Sequence, residues 1–212
     1  MEIKKFIFNP IQVNSYLLWD ETKEAVLIDC GALFPREHEA LAAFIEQNGL
    51  QLKHCLNTHL HFDHIFGNPF IKERFGVGYE ANDADMPWAD TIGERVARFG
   101  LRYDEKIGSP AKVLNDGDEV RFGNQSIKVL AVPGHSPGSL AYYIPAAKTV
   151  FTGDALFQQS IGRTDFADSD HQTLIRSIKE KLFSLPDDTR VLPGHCDETT
   201  IGHEKIYNIY IE

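Results

Sequence analysis

The sequence predicts an α/β fold in a single domain over residues 1–212, and three observations predict it. Short runs rich in Val, Ile, Phe and Tyr recur in both halves, amphipathic stretches of helical period stand between them, and no repeat or Pro/Gly/Ser-rich linker divides the chain. With 212 residues, 42% hydrophobic and 11% aromatic, the chain is long enough to bury a sizeable core.

The elements follow in order. IKKFIF, VNSYLLW and AVLIDCG read as strands separated by Asn9-Pro10 and by the charged turn from Asp20 to Lys23. REHEALAAFIEQNG after Pro35 places Leu41, Phe44 and Ile45 on one face and stops at Asn48-Gly49, which predicts a helix with a glycine stop. LKHCLNT is a short buried strand, and HIFGNPFIKERFG reads as partly helical. Residues 82–106 are expected as a charged helical insertion with Arg95, Arg98 and Arg102 on one flank, a solvated face. The Asp-Gly and Gly-Asn turns of VLNDGDEVRFGNQSIKVLAVPGH, set among alternating apolar positions, predict antiparallel strands. SLAYYIP and TVFTGD add two more, DHQTLIRSIKEKLFSL is an amphipathic helix, and TRVLPGH is expected to end the sheet.

Charge and composition narrow the function. A formal charge of −10 gives no basis for a broad nucleic-acid-binding face, which needs clustered Lys and Arg, so a small-molecule partner is favoured. No segment approaches the roughly 20 apolar residues of a membrane span, and the N-terminal apolar run is broken by Asn9, Pro10, Gln12 and Asn14, unlike a signal peptide. Cys30, Cys55 and Cys196 imply no disulfide framework, which suits a reducing cytoplasm. Cys30 and Cys55 are expected in the core, and Cys196 as a small buried hydrophobe beside His195.

The densest chemistry is THLHFDH, residues 58–64. His59, His61 and Asp63, spaced by two, share one side of extended backbone, and a turn into a helix at His64 brings its ring to the same pocket. Four donors this close suggest more than one metal ion, and three further candidates each follow a predicted strand: His135 in VPGHSPGS, Asp154 in FTGDALF and His195 in LPGHCDE. Seven donors suffice for two ions. His38, His54, His171 and His203 are read as ordinary core or surface residues.

THLHFDH, PGHSPGS, TGDALF and LPGH, in this order across nearly the whole chain, resemble the motifs of the metallo-β-lactamase superfamily. The resemblance implies a four-layer αββα sandwich, two mixed sheets flanked by helices. It also implies that His59, His61 and His135 hold one divalent ion, that Asp63, His64 and His195 hold a second, and that Asp154 bridges them. Asp63 and Asp154 are then catalytic through the ions they hold, which are expected to be zinc, with iron or manganese as alternatives, and Asp29 supports the site from a sheet end. LFQQSIGRTDF and TLIRSIKEKLFSLPDDTRVLPGH are similar to the small glyoxalase II-like hydrolases of hydroxyacyl-glutathione thioesters. The chain stops soon after His195, which implies that it lacks the C-terminal helical domain of the larger enzymes.

Two cations roughly 3.5–4 Å apart can share a hydroxide that attacks a thioester or ester carbonyl at neutral pH. The expected protein is therefore a cytoplasmic metallohydrolase, a monomer or small homo-oligomer, that cleaves a thioester such as S-lactoylglutathione. Arg163 is a candidate for a substrate carboxylate, with an internal Arg163–Asp165 pair as the competing assignment. Thr58 and Ser136 are candidates for fixing imidazole orientation. Two rival readings stay open: a persulfide dioxygenase of the same superfamily with one iron on His59, His135 and Asp154, and a metal-bearing scaffold without turnover. A secreted β-lactamase is set aside for want of an export signal.

Overall fold

Residues 1–211 are described by a computed structural model of the chain. The N-terminal half opens with an antiparallel meander of β1 (Glu2–Phe8), β2 (Val13–Trp19) and β3 (Glu24–Ile28). Helix α1 (Pro35–Gln47) starts with proline in its first turn, where a missing N–H costs nothing. Glu37 reaches back to accept from the amides of Leu33 and Phe34 at 2.8 and 3.1 Å. The helix hands the chain to β4 (Gln51–Leu56), which lies parallel to β3. Then come α2 (Phe62–Ile65), α3 (Asn68–Phe75), β5 (Tyr79–Ala81), α4 (Met86–Asp90), α5 (Ile92–Ala97) and β6 (Lys112–Val113). These close a mixed sheet of order β1-β2-β3-β4-β5-β6.

The second half builds another six-stranded mixed sheet from β7 (Glu119–Phe122), β8 (Gln125–Ala131), β9 (Leu140–Ile144) and β10 (Thr149–Gly153). A short hairpin follows, β11 (Leu156–Phe157) with β12 (Ser160–Ile161). Helix α6 (His171–Ser177), capped by Asp170 accepting from the Thr173 amide at 2.6 Å, widens into a π-helical turn over Ile178–Leu182. Strand β13 (Arg190–Pro193) inserts parallel to β10, then β14 (Thr199–Thr200) and α7 (Ile201–Tyr207) follow, giving the order β14-β13-β10-β9-β8-β7.

The strand periodicity explains the layering. Along β2 and β3, Leu17, Ala25 and Leu27 face a cluster shared with Leu41, Ile45 and Ile71 of α1 and α3. The alternate residues Tyr16, Leu18, Val26 and Ile28 meet Val120, Phe122, Ile127, Tyr142 and Phe151 of the other sheet. A third cluster sets Val150, Ala141 and Val191 against Leu174, Ile178, Leu182 and Ile201. Both sheets are thus covered on both faces, which is why β2, β9 and β10 are buried along nearly their whole length. The result is the expected four-layer αββα sandwich. Each fully buried large side chain in the middle layer contributes on the order of 1.5–3 kcal/mol.

Three expectations need correction. TRVLPGH does not end the sheet, because β14 pairs antiparallel outside β13 and α7 covers it; a two-residue strand carries too little periodicity to be seen. Residues 82–106 are not one helix: the chain breaks at Thr91 (φ −107°), α5 ends at Ala97, and Gly100 turns at φ +70°. Arg102 therefore falls outside the helix, and Arg95 lies against Trp88 instead of facing solvent. Cys196 is exposed, held at φ +64° in the loop after β13, whereas Cys30 and Cys55 are in the core as expected.

Candidate metal centre

The site is assembled from strand ends at one edge of the sandwich. After β4 the chain bends at Thr58 and reaches His61 in extended backbone; the His59 and His61 rings meet in the donor cluster while Leu60 between them is fully buried in the core. Helix α2 then begins at Phe62, two residues earlier than the spacing suggested. Asp63 and His64 consequently sit on its first turn. His135 comes from the loop between β8 and β9, Asp154 from the end of β10, and His195 from the end of β13.

All seven donors converge. Their ligand atoms form three sets within 4.8 Å of one another: His59, His61 and His135; His59, His64 and Asp154; Asp63, His64 and His195. In the first, His61 Nδ1 lies 3.1 Å from His59 Nε2 and 2.8 Å from His135 Nε2. In the last, Asp63 Oδ2 lies 3.2 Å from His195 Nε2 and 3.7 Å from His64 Nε2. Asp154 touches both groups, with Oδ1 3.4 Å from His64 Nε2 and Oδ2 3.7 Å from His135 Nε2 and 3.6 Å from His195 Nε2.

The far side of three of the rings is tied down. Asp29, itself at φ +55°, accepts from the Thr58 amide and hydroxyl at 2.7 Å each and from His64 Nδ1 at 2.9 Å. Thr58 Oγ1, its proton given to Asp29, accepts from His59 Nδ1 at 3.1 Å. His135 Nδ1 donates to the Arg163 carbonyl at 2.8 Å. In each case the outer nitrogen carries the proton and the inner one keeps its lone pair, as a metal-binding imidazole requires.

Electrostatics agree with that assignment. Burial, reinforced by neighbouring imidazoles, holds His59 and His61 well below the usual histidine range, so both are neutral. Burial would raise Asp63 and Asp154, but His64 and His195 outweigh it and both stay ionised, with Asp154 held well below the carboxylate range. Burial would likewise lower His64 and His195, yet the carboxylates facing them raise both, so the negative charge of Asp63 and Asp154 favours positive charge at this end of the cluster. His64 Nε2 and Asp154 Oδ1 are buried without a hydrogen-bond partner. Orphaned inward-facing atoms of this kind, in a set made of imidazoles and carboxylates, fit divalent cations.

The other candidates fall differently. Ser136 Oγ is 2.7 Å from Asp85, not on an imidazole. Arg163 forks onto Asp165 at 2.9 and 2.8 Å, with both side chains largely exposed. His38 stacks on Phe70 and His54 pairs with Glu80, away from the donors. Sequence reasoning missed Asp85, a buried carboxylate in the 3-10 turn before α4. It accepts from the amides of Leu60 at 3.3 Å and Gly138 at 2.7 Å, so it joins the segments carrying His59, His61 and His135. It also missed the aromatic wall of Trp88 and Phe166, whose ring centroids lie 4.0 and 5.0 Å from that of His61. No local pattern distinguishes these residues from core, because their partners are remote in sequence.

Fold and donor geometry together define a metal-dependent α/β sandwich enzyme. The metallo-β-lactamase superfamily model matches residues 8–195, and the chain belongs to that family, whose members bind divalent metals. It is 37% identical over 212 residues to hydroxyacylglutathione hydrolase GloC of Haemophilus influenzae, covering 100% of this chain and 98% of that one. Human mitochondrial persulfide dioxygenase ETHE1 is 35% identical over 192 residues, 89% of this chain and 66% of that one. The crystal structure of the B3 metallo-β-lactamase BLEG-1 superposes with TM-score 0.89 at 34% identity, covering 99% of each chain. Three activities at nearly equal identity leave the choice among them to the site. Among the described residues no helix is long and apolar enough to cross a membrane.

Proposed function

We propose that the protein is a glyoxalase II-like thioester hydrolase acting on a hydroxyacyl thioester such as S-lactoylglutathione. The observation that carries the reading is Asp154, whose carboxylate lies between the two donor sets, within 3.7 Å of His135 in the first and within 3.6 Å of His64 and His195 in the second, and so suits a carboxylate shared by two ions. A dioxygenase site would use only His59, His135 and Asp154, and would leave His61, Asp63, His64 and His195 converging without a ligand role. The end-to-end match to the GloC hydrolase supports the same choice.

In this reading His59, His61 and His135 hold the first ion, Asp63, His64 and His195 the second, and both ions are zinc. Bound there, two divalent cations would lower the pKa of water to supply a nucleophile at neutral pH and would polarise the thioester carbonyl. The chain's own part is to orient and to exclude. Asp29, Thr58 and the Arg163 carbonyl fix three imidazoles, while Trp88 and Phe166 keep water from one flank of His61. Asp63, turned into the donor set, is a ligand and not a general base.

Metal analysis of protein purified without added metal, paired with a thioesterase assay, tests this. About two zinc ions per chain with S-lactoylglutathione turnover is the expected result, and His59→Ala or Asp154→Ala should lose metal and turnover together. One iron per chain with oxygen consumption on glutathione persulfide would overturn the reading, as would a metal-loaded protein that hydrolyses no thioester.

A further inference from the structure

Beside the donor cluster one cation keeps an unused hydrogen-bonding fork. The Arg95 guanidinium lies 3.4 Å from the centroid of the Trp88 indole. Its arm is fixed by Nε donating to Thr91 Oγ1 at 2.8 Å, and that hydroxyl donates in turn to the Pro87 carbonyl at 2.6 Å. The indole is fixed as well: Nε1 donates to Asp168, and the ring packs against His61 and Phe166. One aromatic ring therefore separates the guanidinium from a metal-donor imidazole. The terminal Nη atoms of Arg95 find no acceptor among the described residues, and the nearby carboxylate of Asp168 is already engaged by Trp88. Arg163, the other cation on this wall at 4.9 Å from the Phe166 ring, differs because Asp165 occupies its fork.

A half-buried guanidinium stacked on an indole, with both terminal nitrogens free, is built for bidentate recognition of a planar anion. We infer that Arg95, held in place by Trp88 and Thr91, is a carboxylate-recognition subsite: its Nη fork, one aromatic ring away from His61, takes a carboxylate of the substrate's thiol carrier. That the bound molecule is a substrate rests on the hydrolase reading. The binding of a carboxylate does not.

The test is calorimetric titration of the metal-loaded protein with S-methylglutathione, a non-hydrolysable thioether with two carboxylates, and with its dimethyl ester. The acid is expected to bind wild type at least about tenfold more tightly than the ester does, with affinity falling as salt rises. Arg95→Gln should bind the acid about tenfold more weakly and no longer discriminate acid from ester, and Arg95→Lys should recover part of the difference. Equal affinity of wild type for acid and ester, or no binding of the acid, overturns the proposal without any variant. So does full discrimination by Arg95→Gln. Thioester turnover measured on the same preparations keeps the two claims apart: carboxylate-dependent binding without turnover removes the hydrolase reading and leaves the subsite standing.

Discussion

Gly194 shows how tightly single atoms are specified at the donor cluster. A Cβ there would run into Asp154 Oδ1 and the edge of the His64 ring, so the Pro-Gly-His turn needs glycine for close approach. Gly194→Ala should lower affinity for the second ion on the order of 10–100-fold, read by metal titration, with little loss of secondary structure by circular dichroism. The Arg163–Asp165 fork gives the opposite expectation. It is geometrically good but exposed, so Arg163→Ala should cost no more than about 1 kcal/mol in denaturant unfolding. The seven donors were legible in the sequence because imidazole and carboxylate donors packed at short spacing have few structural explanations. Ser136 was misjudged because adjacency to His135 says nothing about where a hydroxyl points. Asp85 took that hydroxyl from a segment 51 residues away.

At the scale of elements, the strands and long helices were readable wherever a face had to be buried, as in β2, α1 and β8–β9. The short pieces β5, β6, β11, β12 and β14 were not, since two or three residues hold no period. One turn also ties the two sheets together. Asp20, buried after β2, accepts from the Thr22 amide at 3.0 Å within its own turn and from the Asn124 amide at 2.7 Å in the β7–β8 turn. Burial would raise its carboxyl, but these bonds, with those from Thr22 Oγ1 and Gln125, hold it down at about 2. Its folded value lies below the roughly 3.9 of an unfolded aspartate, so its contribution is complete above about pH 4 and is lost as pH falls toward 2. Asp20→Asn should remove about 1–2 kcal/mol of stability at neutral pH and flatten the acid limb of the unfolding profile between pH 4 and 2. An unchanged acid limb would show that this turn does not hold the sheets.

For the molecule as a whole, any ions held at the donor cluster would be linked to the fold. The donors bring Asp63 and four imidazoles into near-complete burial, with Asp154 and His195 at their edge, and ions that bind only the folded chain would add their binding energy to its stability. Chelation should lower the melting temperature by about 5–10 °C, restored by zinc, as read by scanning calorimetry. The four-layer architecture was legible from the motif order, but the way its halves meet was not. Asn14 donates through its amide to the Gly194 carbonyl at 2.7 Å, and through its side chain to the carbonyls of Pro193 at 3.0 Å and Cys196 at 2.9 Å. Tyr16 adds a bond to Pro193 at 2.8 Å. The loop that presents His195 is therefore moored to the first hairpin, across some of the longest sequence separations in the protein. As the chain leaves the ribosome, His59, His61 and His135 are all available well before His195 has been made. On the assignment proposed above, the two donor sets differ in birth order: the side chains of one are all made before the other is complete, and the second set closes only when the last loop has found its berth on β2.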